Sequence, residues 1–266
     1  MKRFFNIFFL TLVCFLLLGQ SANAKNMEFV QITDLHFKNN PTSIENFENL
    51  ISTVNSIKSV DFIVFTGDNI DKANPETLEL YLKMCKKFNA PYYIQIGNHD
   101  CLKSWGLDKI KYAKLISKYS NNDIKDFNYV VQKGDFAFIF MDGTKQVFPS
   151  VSGYFRENEL SWLDKQLTKY ENKNVIIFQH FPLIDEKPLS VNNLYLAQNY
   201  WKTLLNHKNV KAIFSGHYHT AREEIVNNIL NIVTPAAEEK SQCFRHVILL
   251  DNGKKDYKIL NTLINF

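Results

Sequence analysis

The chain has 266 residues, of which 45% are hydrophobic, and its formal net charge at pH 7 is +4. This length and composition predict a packed globular core, and they exclude intrinsic disorder and fibrous repeats. The small net charge and the lack of a basic tract exclude nucleic-acid binding through a charged surface.

The first 24 residues have the anatomy of a secretory signal peptide. Lys2 and Arg3 form a positive n-region, residues 4–18 form an apolar h-region, and Ala22-Asn23-Ala24 supplies a small-x-small cleavage site. An uncleaved anchor is the alternative, but a spanning helix needs roughly 20 apolar residues and this run is shorter. We therefore expect an exported protein, periplasmic or secreted, whose residues 25–266 form one domain with no stable membrane span.

Strands and helices alternate along the mature chain. Asn40-Pro41 and Asn74-Pro75 each predict a helix cap followed by proline in the first turn. Apolar residues recur at helical spacing after both, and further helices are predicted at 108–119, 157–170 and 192–206. Short runs rich in Val, Ile, Phe and Tyr predict strands at 28–33, 62–66, 92–96, 127–133, 135–141, 174–179, 210–215, 222–226, 229–233, 243–250 and 255–260.

The order of these elements predicts an α/β protein. The β-α-β-α-β start is expected to form parallel strands with right-handed crossovers. Lys133-Gly134 separates two adjacent strands and predicts an antiparallel hairpin, and Asn227-Asn228 and Asn252-Gly253 predict turns between the late strands. We expect mixed β-sheets with the helices on the outside.

Three cysteines remain after removal of the signal peptide: Cys85, Cys101 and Cys243. An odd count rules out complete internal pairing, and the spacing matches no zinc signature. Buried apolar thiols are the favoured interpretation, and a Cys85–Cys101 bridge is left open.

Five of the predicted strands end in residues that bind metals. These ends carry Asp34-Leu35-His36, Gly67-Asp68-Asn69, Gly97-Asn98-His99-Asp100, His180 and Gly216-His217-Tyr218-His219. Ligands of an open α/β sheet bind outside the carboxyl ends of its strands. Carboxylates and imidazoles buried together without a cation would be costly to desolvate. The sequence therefore predicts a single metal pocket.

Seven side chains of this pocket are candidate metal ligands, namely Asp34, His36, Asp68, Asn98, His180, His217 and His219. A catalytic zinc takes only three protein ligands, so this number suits two ions roughly 3.5 Å apart that share a carboxylate. Imidazole and carboxylate without thiolate favour Mn, Fe or Zn over Ca or Cu(I). We expect two divalent or trivalent ions of this kind.

The same motifs, together with Asp71, resemble those of the calcineurin-like metallophosphoesterase superfamily. All five blocks occur in the family's order between residues 34 and 219, and the similarity is greatest to its small bacterial cyclic-nucleotide-phosphodiesterase-like group. The resemblance implies two mixed β-sheets packed as a four-layer sandwich flanked by helices. It also implies an enzyme that hydrolyses phosphomonoesters or phosphodiesters.

The resemblance implies a role for each motif. The first ion would be bound by Asp34, His36 and His219, the second by Asn98, His180 and His217, and both by the bridging carboxylate of Asp68. A metal-bridging hydroxide would attack phosphorus in line.

His99 and Asp71 are the candidate catalytic side chains. The resemblance makes His99 the general acid that faces the leaving group, with its ring held by Asp71. A helix cap is the alternative role for Asp71, and we assign the neighbouring Asp100 to loop structure.

A catalytically silent binding scaffold on the same fold is the alternative function. Scaffolds of that kind have lost metal ligands, whereas all seven are present here. The expected partner is a small phosphate ester, whose identity is left open because specificity lies in loops such as 101–126, 143–156 and 181–193. The oligomeric state is left open too.

Overall fold

A computed structural model describes residues 26–120, 124–148, 150–238, 240–251 and 257–266. Two mixed β-sheets pack face to face, and helices cover both outer faces. This four-layer α/β sandwich confirms the predicted fold class. The predicted signal peptide, residues 1–24, lies outside the described residues.

The described elements follow the predicted order. The helices are α1 (Pro41–Ser56), α2 (Pro75–Cys85), α3 (Lys109–Tyr119), α4 (Glu157–Lys169) and α5 (Ala197–Leu204). The strands are β1 (Met27–Ile32), β2 (Phe62–Thr66), β3 (Tyr92–Gln95), β4 (Tyr129–Lys133), β5 (Phe136–Met141), β6 (Asn174–Gln179), β7 (Val210–Ser215), β8 (Arg222–Val226), β9 (Ile229–Val233), β10 (Cys243–Asp251) and β11 (Tyr257–Asn265). Within the described part of the chain, every helix is too short or too polar to cross a membrane.

The two sheets use both strand directions. The first has the order β11-β10-β1-β2-β3, and β1, β2 and β3 are parallel, as the β-α-β-α-β start predicts. The second has the order β4-β5-β6-β7-β9-β8, with the predicted β4–β5 hairpin at one edge and parallel pairing from β5 to β7. Parallel strands from both sheets therefore end on the same side of the sandwich.

Aromatic side chains fill the space between the sheets. Phe29 of β1 contacts Phe62 of β2 and reaches across to Phe138, Phe178 and Phe214 of the second sheet, with ring centroids 5.2–6.3 Å apart. These rings are buried, and each buries a large apolar surface. A separate apolar layer lies under α1–α3, and another lies under α4 and α5.

Both predicted asparagine caps are present. Asn40 Oδ1 accepts a hydrogen bond from Ser43 N at 2.8 Å, and Asn74 Oδ1 accepts one from Thr77 N at 2.8 Å. Each cap satisfies a backbone donor that the first helical turn leaves without a partner.

The prediction was wrong about the start of the fifth helix. We expected a helix over 192–206, but α5 begins only at Ala197. Asn193 holds the preceding residues in a loop, because it accepts a hydrogen bond from Glu186 N and donates one to Lys187 O. Leu196 has a φ of 56°, which lies outside the helical region.

The late turns had mixed outcomes. Asn227 and Asn228 both have positive φ, as a two-residue hairpin turn between β8 and β9 requires. The turn at Asn252-Gly253 lies outside the described residues. The strand that follows it runs to Asn265, beyond the predicted end at 260, because it pairs with β10 along its whole length.

Candidate metal centre

The predicted ligands meet at one edge of the sandwich, where β1, β2 and β3 of the first sheet and β6 and β7 of the second end. Backbone hydrogen bonds join the loops that follow these strands. Asp34 N donates to Gly67 O at 3.0 Å, and Gly216 N donates to His180 O at 3.0 Å. The strand ends therefore form one site, as the ligand rule for α/β sheets predicts.

The backbone of these loops is strained. Five of the seven predicted ligands have a positive φ between 44° and 69°, namely Asp34, His36, Asp68, His217 and His219. Non-glycine residues rarely adopt this left-handed conformation, and it persists only where the surrounding structure enforces it. Its concentration in these loops marks them as a functional site on grounds independent of residue type.

Two glycines allow the loops to approach one another. A Cβ atom at Gly97 would collide with the carboxylate of Asp68, and one at Gly216 would collide with Thr33 and Asp34. Any larger residue at either position would push a predicted ligand out of place.

The first group of ligands contains Asp34, His36 and His219, whose ligand atoms all lie within 4.8 Å of one another. Asp34 Oδ1 is 3.3 Å from His219 Nε2 and 4.0 Å from His36 Nε2. The two Nε2 atoms are 3.2 Å apart. Atoms spaced in this way can surround one ion at bond lengths of about 2.0–2.2 Å.

The second group contains Asp68, His180 and His217, again within 4.8 Å. Asp68 Oδ2 is 3.3 Å from His180 Nε2. Asn98 belongs to this group, because its Oδ1 atom lies 3.2 Å from the same His180 nitrogen.

Asp68 connects the two groups. Its Oδ2 atom lies 3.8 Å from His36 Nε2 of the first group as well as close to His180 of the second. The structure thus brings all seven side chains together in the division that the sequence predicts. Their metal-binding roles stay predictions.

The charges of the site suit cations. Burial opposes ionisation of Asp68, but His180, His36 and His99 together outweigh it and lower the pKa of this carboxyl well below its usual range. Burial also opposes the charge of His180, yet Asp68 and Asp34 raise its pKa to about 9. At His217, burial and the neighbouring His180 lower the pKa to about 4. The carboxylates are therefore anionic and His217 is neutral, which are forms that bind metal, whereas His180 would have to release the proton that the carboxylates hold on it before it could bind an ion.

Two buried ligand atoms in the described chain make no protein hydrogen bond, although Asp34 Oδ1 lies in ion-pair range of His219. Among the described residues, Asp34 Oδ1 and His217 Nε2 are inaccessible to solvent and accept or donate no hydrogen bond. A buried polar atom without a partner costs free energy, and native proteins rarely tolerate one. A cation would satisfy both atoms, so the residues present fit a metal centre.

His99 lies beside the first group, with its ring centroid 4.7 Å from that of His36. The hydrogen bond that holds the His99 ring comes from the backbone of Asp71, and a carboxylate oxygen of Asp71 also lies within 4.8 Å of a His99 nitrogen, so the role of that carboxylate stays a prediction. His99 Nδ1 donates to the backbone carbonyl of Asp71 at 2.7 Å, and the Asp71 carboxylate lies 3.7 Å from Lys38 Nζ. The alternative cap role for Asp71 is wrong, because Asn74 caps α2.

The backbone contact has a clear origin and consequence. Residues 37 and 70 form an isolated β-bridge, and Asp71 N donates to Phe37 O at 3.1 Å, which holds the residue whose carbonyl contacts His99. The carbonyl can only accept, so the hydrogen on His99 Nδ1 is fixed there. Nε2 of His99 is left for other partners.

Sequence reasoning missed Glu238. Its carboxylate lies 3.4 Å from Nδ1 of His219, the nitrogen on the far side of the ring from Asp34. A carboxylate in this position orients an imidazole for metal binding. The signal was available, since Glu238 follows β9 and the strand-end rule applied to that strand would have included it.

The loop role assigned to Asp100 understates what it does. Asp100 is completely buried and accepts hydrogen bonds from the backbone of Gly97, Asn69 and Ile70 and from the side chain of Asn69. It thereby connects the loop that carries Asp68 to the loop that carries Asn98.

The three cysteines are free and buried. This confirms the interpretation as apolar thiols, and a Cys85–Cys101 disulfide is not formed in the structure. Burial raises the pKa of each thiol, so they are poorly nucleophilic.

A cluster of carboxylate, amide and imidazole groups at the strand ends of a four-layer sandwich defines a metallohydrolase. More particularly, the chain belongs to the calcineurin-like phosphoesterase family, whose model matches residues 27–221. It is therefore a metal-dependent phosphoric ester hydrolase.

Curated relatives of the chain are bacterial. It is 29% identical over 227 residues to a probable glycerophosphodiester phosphodiesterase of Arcobacter nitrofigilis, covering 81% of this chain and 80% of the relative. It is 25% identical over 233 residues to a probable cyclic nucleotide phosphodiesterase of Xenorhabdus bovienii, covering 79% and 85%. Both names describe phosphodiesterases.

The fold is also that of a solved dimetal phosphatase from Danio rerio. The two superpose with a TM-score of 0.65 at 14% identity, and the match covers 90% of this chain and 99% of the other. At this identity the likeness concerns the fold alone.

Proposed function

We propose that this protein is an exported phosphodiesterase that uses two metal ions. The observation that supports it most is the pair of adjoining ligand groups that share Asp68. The proposed ligands are Asp34, His36 and His219 for one ion, Asn98, His180 and His217 for the other, and Asp68 for both. The oxygen and nitrogen donor set suits Mn, Fe or Zn.

Ions bound here would neutralise the phosphate oxygens and activate water near neutral pH. The protein's own groups hold the pocket in a fixed shape. Asp100 joins the loops of Asp68 and Asn98, and Glu238 orients His219. His99, held at Nδ1 by the Asp71 carbonyl, would have to be in its doubly protonated imidazolium form to donate the Nε2 proton to the leaving oxygen, and it would be left neutral with its hydrogen on Nδ1.

Diesters are the favoured substrates. The two curated relatives are named for a glycerophosphodiester and for cyclic nucleotides, and both compounds contain a phosphodiester bond. We infer the same bond type for this chain and leave monoesters as slower substrates.

Removal of metal is expected to slow turnover of bis(p-nitrophenyl) phosphate at least a hundredfold. A metal ion that acts as a Lewis acid lowers the activation free energy by several kcal/mol. Dialysis against a chelator followed by addition of Mn²⁺, Zn²⁺ or Fe²⁺ is the measurement, and activity should return with one of them. Full activity in protein that elemental analysis finds metal-free would contradict the proposal.

Replacing His99 with alanine is expected to slow hydrolysis in a way that depends on the leaving group. Loss of a general acid costs about 10²–10⁴-fold when the leaving group is a poor one such as an alkoxide. p-Nitrophenolate leaves without protonation, so its esters should be affected less than tenfold. The measurement is kcat for a p-nitrophenyl diester and for a diester with an alkoxide leaving group, in the wild type and in each variant.

His207→Gln is the matched control, because His207 pairs with Asp164 outside the metal centre. It should leave both esters unaffected. Equal losses for good and poor leaving groups in His99→Ala would show that His99 supports the site without donating a proton.

Export is proposed on the sequence of residues 1–24 alone. Expression of the full chain in a Gram-negative host, followed by mass spectrometry of the periplasmic fraction, should find an amino terminus at Lys25. Intact protein confined to the cytosolic fraction would contradict export and would leave the enzymatic proposal untouched.

A further inference from the structure

Exposed apolar side chains are concentrated around the metal centre. Of the twelve large hydrophobic residues that are exposed in the described part of the chain, seven lie in loops that follow β3, β5 and β6. These seven are Trp105, Val147, Phe148, Val151, Leu189, Val191 and Tyr195. Soluble proteins seldom expose apolar residues in such a group unless the surface binds something.

Four of the seven line one groove, which we name the lateral groove. It lies between loop 150–152, loop 183–196, the first turn of α5 and the edge strand β8. Its volume is about 1170 Å³, large enough for a sizeable organic group. Val151, Leu189, Val191 and Tyr195 are its exposed apolar residues, and Leu183, Leu194 and Trp201 also line it.

The lateral groove shares a wall with the metal centre. The ring of Phe181 lies 4.9 Å from that of His180 and 5.0 Å from that of His217. Gly153, which continues the groove loop 150–152, packs directly against the Phe181 ring, where a Cβ atom would have no room. One aromatic ring therefore separates the groove loop from two predicted metal ligands.

A second contact fixes the other side of this wall. Tyr218, which lies between His217 and His219 in the chain, donates its hydroxyl to Ile184 O at 3.1 Å and packs against the Ile184 side chain. Ile184 lines the lateral groove. The loop that carries His217 and His219 is thus in contact with the groove residues through Phe181 on one side and through Tyr218 on the other.

The rim of the groove shows a further sign of function. Leu189 is 99% exposed and has a φ of 60°, a left-handed conformation that is unfavourable for leucine. A leucine side chain this exposed buries almost no apolar surface against the described chain. Such strain is found where a segment is shaped for binding.

The polar residues of the groove limit what it accepts. Asp185 and Glu224 line it, and Glu224 pairs with Arg222. The uncharged polar side chains that also line it are Ser150, Ser152, Ser190, Asn193 and Gln198. These carboxylates would repel a second anionic group, whereas the apolar side chains favour hydrocarbon. The combination suits a ligand with one phosphate at the metal centre and an uncharged apolar chain beside it.

Resting on the proposed function, we propose that the lateral groove binds a hydrocarbon chain carried by the substrate, which makes the substrate class amphipathic phosphodiesters. The phosphate would lie at the metal centre and the chain would extend past Phe181 toward Leu189. The enzyme would then select alkyl esters over short polar ones.

A homologous series of alkyl p-nitrophenyl phosphates tests the inference, with methyl, butyl and octyl esters used below their critical micelle concentrations. The leaving group is the same throughout, so only the chain varies. The ratio kcat/KM should rise by up to roughly fourfold for each buried methylene, and by at least thirtyfold from methyl to octyl. A flat series would overturn the inference.

Leu189→Asp is the diagnostic variant, because a charge on a side chain that is 99% exposed is expected to change stability by only about 0.5 kcal/mol. It should keep the wild-type kcat/KM for the methyl ester and lose most of the gain for the octyl ester. Leu205→Asp, at the opposite end of α5 and 61% exposed, is the matched control and should behave as wild type. An undiminished octyl preference in Leu189→Asp would overturn the inference.

A binding measurement separates this inference from the proposed function. Octylphosphonate should change the tryptophan fluorescence of the protein, since Trp201 lines the groove, and Leu189→Asp should weaken that binding at least tenfold. This result without turnover of any ester would refute the phosphodiesterase and keep the groove assignment. A wild-type dimer that Leu189→Asp dissociates, detected by light scattering, would instead make the groove an interface between copies and overturn the assignment.

Discussion

Asp68→Asn is expected to lower kcat/KM for phosphodiesters at least a thousandfold, which corresponds to about 4 kcal/mol of transition-state free energy. Asp68 Oδ2 lies 3.3 Å from His180 and 3.8 Å from His36, nearer to both ligand groups than Asp34 Oδ1 is to His180, so its charge would serve both ions. Asparagine keeps the size of the side chain and removes that charge. The bound metal should fall from two ions per chain to one or fewer.

Asp135→Asn is the matched control for this change. Asp135 lies at the opposite end of β5 from the metal centre, and its side chain is exposed beside Lys173. This variant should keep wild-type activity and metal content. An active Asp68→Asn enzyme with two ions bound would refute the bridging role.

Asp100→Ala is expected to destabilise the protein by about 3–6 kcal/mol, because three backbone N–H groups and the Asn69 amide would lose their buried acceptor. The melting temperature should fall by about 10–15 °C. Thermal unfolding followed by circular dichroism measures the loss.

Asp100→Asn supplies the graded comparison. Asparagine keeps one oxygen for Asn69 N and Ile70 N but turns an amide toward Gly97 N, so it should cost about half as much as alanine. Asp135→Ala should cost little, because the Asp135 side chain is exposed. Equal stability of wild type and Asp100→Ala would show that the Asp100 hydrogen bonds do not hold the two loops together.

The sequence was sufficient to predict mixed sheets with helices outside and the edge on which the site lies, and the four-layer arrangement came from the family resemblance. Strands buried on both faces read as continuous apolar runs such as FIVFT at 62–66, and this signal is local. The asparagine caps at Asn40 and Asn74 are equally local. The convergence of the strand ends follows from the chain direction of parallel strands, so the seven ligands could be named without coordinates.

The contacts that depend on backbone geometry could not be predicted. Nothing in the residue types shows that Asp71 would support His99 through its carbonyl, because that contact depends on the bridge between residues 37 and 70. The sequence suggested only a loop role for Asp100, because its long-range partners cannot be recognised from residue types. Asp100 accepts hydrogen bonds from Asn69 and Ile70, which lie 31 and 30 residues away, as well as from Gly97 in its own loop. Leu196 and Asn193 shortened α5 for a similar reason, since the side chain of Asn193 bonds across its own loop.

The lateral groove could not be predicted from the sequence either. Exposed Leu189 and Val191 have the same residue types as the core, and only the fold shows that they face solvent beside the metal centre. Loops at strand ends carry specificity while the sheets carry the site.

The most direct test of the account is an anomalous-difference map from a crystal of the protein soaked in Mn²⁺. Two peaks on either side of the Asp68 carboxylate are expected, one among Asp34, His36 and His219 and the other among Asn98, His180 and His217. A single peak, or peaks elsewhere on the protein, would contradict the two-metal centre on which the proposed function rests.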